Sequence, residues 1–121
     1  MFMKKIYIAL FALMVTGFAN AQTKITLDDI SQHIGDSVTF CGLVADMRYF
    51  ENTKNQPTFL NIGDKYPNQK VTIVIWGNLR GAFKEKPETL LNKQVCVTGK
   101  IILYKEKPEI IIYHPEQITT E

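Results

Sequence analysis

Two cysteines and two histidines are all that this 121-residue chain offers toward thiol or soft-metal chemistry. No C-x-x-C pair occurs, and no His/Cys cluster has the spacing of metal ligands, so neither a redox centre nor a zinc site is expected. G-x-S-x-G and H-E-x-x-H are also absent, which removes the commonest hydrolase signatures. Asp28 and Asp29 are adjacent carboxylates, but they open a helical turn, where the helix dipole already favours acidic residues. His33 and Cys41 are conceivable as base and nucleophile, yet a strand cysteine expected to be oxidised is a poor nucleophile. No catalytic residue, metal or cofactor is therefore expected; the chain reads as a non-enzyme, with a single-domain hydrolase as a distant third reading. There is no internal repeat, low-complexity tract or linker, so one domain is expected.

Long apolar runs are scarce too. The single one follows Lys4 and Lys5, extends from Ile6 to Phe18, and ends at Ala19-Asn20-Ala21. It is shorter than the roughly 20 residues a spanning helix needs, and its flanks are those of a secretory signal peptide cut between Ala21 and Gln22. Residues 1–21 are thus read as a cleaved leader and 22–121 as the mature domain, exported to the periplasm or secreted, with no membrane span in the mature form. Cleavage also removes the apparent basicity. Of the 14 Lys and Arg, two lie in the leader, leaving 12 against the 12 Asp and Glu. A mature chain near neutrality argues against tight, non-specific nucleic-acid binding.

What is present is mostly strand. Gln22 to Ile25 reads as a loose lead-in. Thr26 to Gly35 reads as one short helix, with Thr26 at its N-cap, Gly35 at its end, and Leu27, Ile30 and Ile34 turned to a core. Val38 to Asp46 alternates, with Val38, Phe40, Gly42 and Val44 on one face; Gly42 suggests a bend or bulge. Met47 to Gln56 is polar and reads as a loop, with the first strand running into its start as the alternative. Thr58 to Ile62 and Lys70 to Trp76 are the second and third strands, separated by a turn rich in breakers. Leu79 to Leu91 is interrupted by Pro87 and is expected as short turns burying Phe83, Leu90 and Leu91. Val95 to Tyr104 and Glu109 to Tyr113 complete the strands, and Ile118 is expected to dock against them.

Three strands, a short helical connection and two more strands, after an N-terminal helix, suit a five-stranded Greek-key barrel of the oligonucleotide/oligosaccharide-binding type, the OB-fold. A flat five-stranded antiparallel sheet is the alternative. Cys41 and Cys96 both fall on the side of their strands away from the core set. In the OB topology those first and fourth strands are adjacent and antiparallel, so a Cys41–Cys96 disulfide on the outside of the barrel is expected. The stretches Val38 to Val44, Pro57 to Gly63, Tyr66 to Gln69 and Val95 to Ile101, with Tyr104 and Pro108-Glu109-Ile110, resemble small bacterial OB domains of the tRNA-anticodon-binding-like group. Some members of that group occur in exported proteins. The resemblance covers about Gly35 to Ile118 and implies a nucleic-acid-binding type of domain.

In such a fold the ligand face lies over the second and third strands, between flanking loops. Single strands need aromatic platforms for bases and cations for phosphates. The first loop offers Arg48, Tyr49, Phe50 and Lys54, with Arg48 and Tyr49 the favoured pair. The strands offer Phe59, Asn61, Lys70, Thr72 and Trp76, although Trp76 is weighed more heavily as packed beneath the inter-strand helix. Arg80 is placed near the rim, and the last hairpin adds Tyr104, Lys105 and Lys107. The expected partner is single-stranded DNA or RNA; the competing class is an envelope module recognising a glycan, a small molecule or a partner protein.

Overall fold

A computed structural model describes residues 23–121; the expected signal peptide and its expected cleavage between Ala21 and Gln22 lie outside the described residues. The described residues form eight strands: β1 (Thr23–Lys24), β2 (Ser37–Tyr49), β3 (Thr58–Ile62), β4 (Val71–Ile75), β5 (Gln94–Lys100), β6 (Ile102–Tyr104), β7 (Lys107–Ile111) and β8 (Ile118–Thr120). They pair in the order β6-β7-β4-β3-β2-β5-β8, with β1 alongside β2. The sheet is closed covalently from β6, at one end of this order, to β5, next to the other end, because β5 and β6 are one strand broken only at Ile101. With β5 and β6 counted together, β2, β3, β4, β5–β6 and β7 are the five strands of the expected Greek-key order. β7 lies parallel to β4, and every other pairing among these five is antiparallel.

Alternation explains the core. Val38, Phe40 and Val44 from β2, Leu60 and Ile62 from β3, Val71, Ile73 and Ile75 from β4, Val95 and Val97 from β5, with Ile101, Ile110 and Ile112, are sealed from solvent. A 3-10 turn at Leu27–Gln32 closes one end through the buried Ile30. The expected helix is shorter than its apolar spacing implied, and Ile34 is left exposed. The lead-in is ordered instead of loose, since Thr23 and Lys24 pair in parallel with Val38 and Thr39. Between β4 and β5 the chain makes α1 (Gly77–Arg80) and a 3-10 turn at Pro87–Leu90, as the internal proline required. Phe83 and Leu90 pack on the core from this connection, whereas Leu91, expected inside, is exposed. Ile118 docks as β8 pairs with β5.

The disulfide joins Cys41 to Cys96, directly opposite one another in the β2–β5 ladder. Both cysteines are half-buried, while their neighbours Phe40, Val95 and Val97 fill the interior. The glycines play a different part from the one their positions suggested. Gly42 makes no bulge; a Cβ there would lie 2.7 Å from Ile62 Cγ2 and 3.1 Å from Leu27 Cδ2. Gly99 stays in register with Val38 and admits Ile110, whose Cγ2 would sit 2.6 Å from an added Cβ. Ile110 is fully buried and has nowhere to retreat. Gly99→Ala is therefore expected to destabilise by about 1–3 kcal/mol through overpacking. A melting comparison with Gly81→Ala, whose Cβ would meet nothing within 4 Å, checks this; equal midpoints would contradict it.

Candidate functional site

The outer face of the sheet is set by one extra residue. β2 pairs with β3 through Val44↔Ile62 and next through Asp46↔Asn61, leaving Ala45 as a bulge. Up to Val44 the even-numbered side chains of β2 point inward; from Asp46 onward they point outward. Asp46 and Arg48 thus join the ligand-facing side, and Met47 packs against the core. The pairings then lay two rows across the sheet. Asp46, Asn61, Thr72 and Glu109 form one, and Arg48, Phe59, Val74 and Ile111 the other.

The first row is a directed hydrogen-bond relay. Asp46 can only accept, so Asn61 Nδ2 donates to its Oδ1 at 2.7 Å. That turns Asn61 Oδ1 toward Thr72, whose hydroxyl donates to it at 2.8 Å. Thr72 Oγ1 in turn accepts from Gln69 Nε2 at 3.0 Å. The second Asp46 oxygen accepts the Tyr66 backbone N–H at 2.8 Å and ties the β3–β4 turn to β2. The relay ends at Gln69 Oε1, which is buried and without a donor.

Aromatic rings carrying cations stand around this floor. On the β2–β3 side Phe50 packs edge-on against Phe59, centroids 5.4 Å apart, and the Arg48 guanidinium lies 5.1 Å from the Phe50 centroid. Opposite, Lys107 Nζ is 5.3 Å from the Tyr66 ring and Lys105 Nζ is 5.4 Å from the Tyr104 ring. Between them is an open groove of about 520 Å³, with Asn61, Gln69, Thr72 and Glu109 also among its lining residues. The β6–β7 turn consists of Lys105 and Glu106 alone, both with positive φ (50° and 67°), the form a two-residue hairpin demands. β7 therefore begins at Lys107, two residues before the expected Glu109.

Of the residues singled out by sequence, Arg48, Phe50, Phe59, Asn61, Thr72, Tyr104, Lys105 and Lys107 line the groove. Tyr49, Lys54, Lys70, Trp76 and Arg80 do not. β2 runs through Tyr49, and strand alternation points it away from Arg48; the Arg80 guanidinium stacks 3.6 Å from its centroid. Arg80 is no rim residue either. It donates to Thr58 Oγ1 at 2.6 Å and to both Glu88 carboxylate oxygens at 2.8 and 2.9 Å, tying the β4–β5 connection to β3. Lys70 reaches Asp28, 3.6 Å away at the other end of the strand, and Lys54 is exposed in the loop after β2. Trp76 is not packed beneath a helix. It caps α1 and stays 38% exposed over a separate concavity with Asn55, Gln56, Gly77 and Asn78. The groove residues that went unrecognised are Tyr66, Gln69 and Glu109. Tyr66 and Gln69 belong to a turn whose Gly63 and Pro67 spoke only of a chain reversal, and Glu109 sits between the half-buried Pro108 and the buried Ile110 on β7.

Half-burial pushes the Glu109 carboxyl above the ordinary carboxylate range. A raised pKa in the folded state means that stability is greatest below the unfolded pKa and is lost as pH rises through the folded one. Glu109→Gln, neutral and of like size, is expected to melt above the wild type at neutral pH. The gap should close as pH falls toward about 4, where the unfolded carboxyl protonates. Thermal midpoints of the two chains across that range check the sign; a gap that widened on acidification would refute it.

No family model matches the sequence, and no curated protein matches it significantly. Solved structures do. A chain in the crystal structure of yeast Stn1 and Ten1 aligns with 87% of this chain and 65% of its own length at 14% identity and a TM-score of 0.60. Entamoeba histolytica asparaginyl-tRNA synthetase in complex with asparaginyl-adenylate aligns over 83% of this chain and 24% of its own, at 20% identity and 0.55. The OBody AM1L10 bound to hen egg-white lysozyme aligns over 85% and 97%, at 15% identity and 0.51. The chain spans just under two thirds of the first and about a quarter of the second. Together with the strand order, these likenesses make the fold an OB-fold.

Proposed function

We propose that this chain is an exported, non-catalytic OB-fold module that binds single-stranded nucleic acid weakly, in the groove between the β2–β3 surface and the β6–β7 hairpin. The observation that carries it is the pairing of ring with cation on both walls: Arg48 on Phe50, Lys107 on Tyr66, Lys105 on Tyr104. Rings supply faces for unstacked bases and the cations meet phosphates, the combination that sequence-tolerant single-strand grooves use. Solved neighbours named for an asparaginyl-tRNA synthetase and for Stn1 and Ten1 are in keeping with this reading. Export rests on the signal-peptide pattern and is favoured by the Cys41–Cys96 disulfide, a bond that persists in oxidising compartments.

Titration of short DNA and RNA strands by fluorescence anisotropy tests the reading. Affinity is expected to be micromolar or weaker and to fall with salt. Three groove cations predict a log–log slope of about −2 on a single strand. No binding to any strand at low salt would remove the proposal. A second reading, a module that grips a protein or glycan of the envelope, is favoured by the neutral charge of residues 22–121 and by the OBody neighbour, whose partner is lysozyme. A thermal shift with a glycan and none with oligonucleotides would decide for it.

A further inference from the structure

Two carboxylates stand in the same cross-sheet row, and they are treated in opposite ways. Both oxygens of Asp46 are occupied, one by Asn61 Nδ2 and the other by the Tyr66 backbone N–H. Glu109 is three strands away in that row, beside Thr72, and lines the groove. Among the described residues it has no ion pair, although Arg48, Lys105 and Lys107 line the same groove. Those cations are held over rings at the walls instead. Next to Glu109 in the floor, the relay that Asp46 polarises ends on the unpaired acceptor of Gln69. The groove is therefore positive on its walls and negative on its floor, where the Glu109 carboxylate is the acceptor open to a ligand's donor, Gln69 Oε1 being closed off from solvent.

From this we infer that the groove selects among bases, preferring those that present amino donors, guanine above all, and rejecting thymine and uracil. The inference rests on the single-strand reading above and deepens it. A base stacked on Phe59 or Tyr104 directs its phosphate to the wall cations and its polar edge toward Glu109. Guanine offers N1–H and N2–H₂ side by side, two parallel donors matched to the two oxygens of one carboxylate. Adenine and cytosine offer one amino group beside an acceptor nitrogen. Thymine and uracil offer N3–H flanked by two carbonyl oxygens, which the carboxylate repels. Electrostatic contacts to phosphate cannot distinguish these cases, and stacking on a ring distinguishes them little. Glu109 is the group that can.

Five-nucleotide strands with a single base at the centre and abasic sites elsewhere isolate the effect. Guanine is expected to bind the wild-type chain about fivefold or more tighter than thymine, the lower end of what a bidentate base contact is worth; adenine and cytosine should fall between. In Glu109→Gln the guanine-to-thymine ratio should collapse toward one while binding of the thymine strand is kept or improved, because a negative charge has left the groove. Thymine binding as tightly as guanine, or a ratio unchanged in Glu109→Gln, would overturn the inference while leaving the single-strand reading intact. Failure of every strand, fully based pentanucleotides included, would overturn both.

Discussion

Cys41→Ser with Cys96→Ser is expected to cost roughly 4 kcal/mol of stability, in the loop-entropy account of a cross-link spanning 55 residues. The two cysteines face each other across the longest ladder of the molecule, which runs from Ser37↔Lys100 to Leu43↔Gln94. That ladder closes the barrel, and it joins strands that are far apart in sequence. In the unfolded chain the bond keeps these strands close, so much of the closure entropy is already lost before folding begins. The seven paired positions and the buried Phe40, Val95 and Val97 remain when the bond is gone, so the variant should still fold at room temperature. For a domain of about 100 residues, 4 kcal/mol corresponds to a fall in melting temperature of about 15–30 °C. The same fall should appear on reducing the wild type and should be absent on reducing the variant. A difference under about 1 kcal/mol would mean that the unfolded chain is already compact around this ladder.

How legible these features were depends on what each physical signal can encode. Alternation in Thr58 to Ile62 and Val95 to Val97, and the β-branched positions Val71, Ile73 and Ile75 of a strand buried on both faces, assigned the barrel interior correctly. The pairing of Cys41 with Cys96 followed from the same parity. Parity fails at a bulge, and the bulge at Ala45 has no marker of its own; Gly42, three residues earlier, looked like the bulge but is needed for the close approach of Ile62 and Leu27. Alternation alone splits the favoured pair between the two faces, and that single insertion decides that Arg48 takes the groove side and Tyr49 the Arg80 side. The last hairpin was legible, but its turn is two residues shorter than expected. Lys105 and Glu106 take positive φ without the Asn-Gly signal that normally announces such a turn. Gln69 and Glu109 were invisible as partners because only the parallel β4–β7 pairing brings Glu109 beside Thr72, and nothing local to either strand specifies it.

The second large effect is expected in binding. Phe59 and Tyr104 stand on opposite sides of the polar floor, Phe59 half-buried against Phe50 and Tyr104 more than half exposed. Phe59→Leu keeps apolar bulk in the contact with Phe50 and removes the flat face; Tyr104→Ala removes an exposed ring that supports no core residue. Base stacking on an aromatic side chain is worth about 1–3 kcal/mol by such truncations, so each variant should weaken single-strand binding by roughly 5- to 150-fold. The double variant should lose less than the product if one base bridges both rings, and the full product if two bases occupy the groove, since distant sites add and shared partners do not. Arg80→Ala supplies the contrast. Its guanidinium is committed to Thr58, Glu88 and Tyr49, so the melting temperature should fall while affinity at 25 °C is unchanged. Affinities of the four chains for one oligonucleotide, measured beside their melting curves, separate the groove from the scaffold. Loss of binding in Arg80→Ala with none in Phe59→Leu or Tyr104→Ala would move the interface to the other side of β2, where Tyr49 lies.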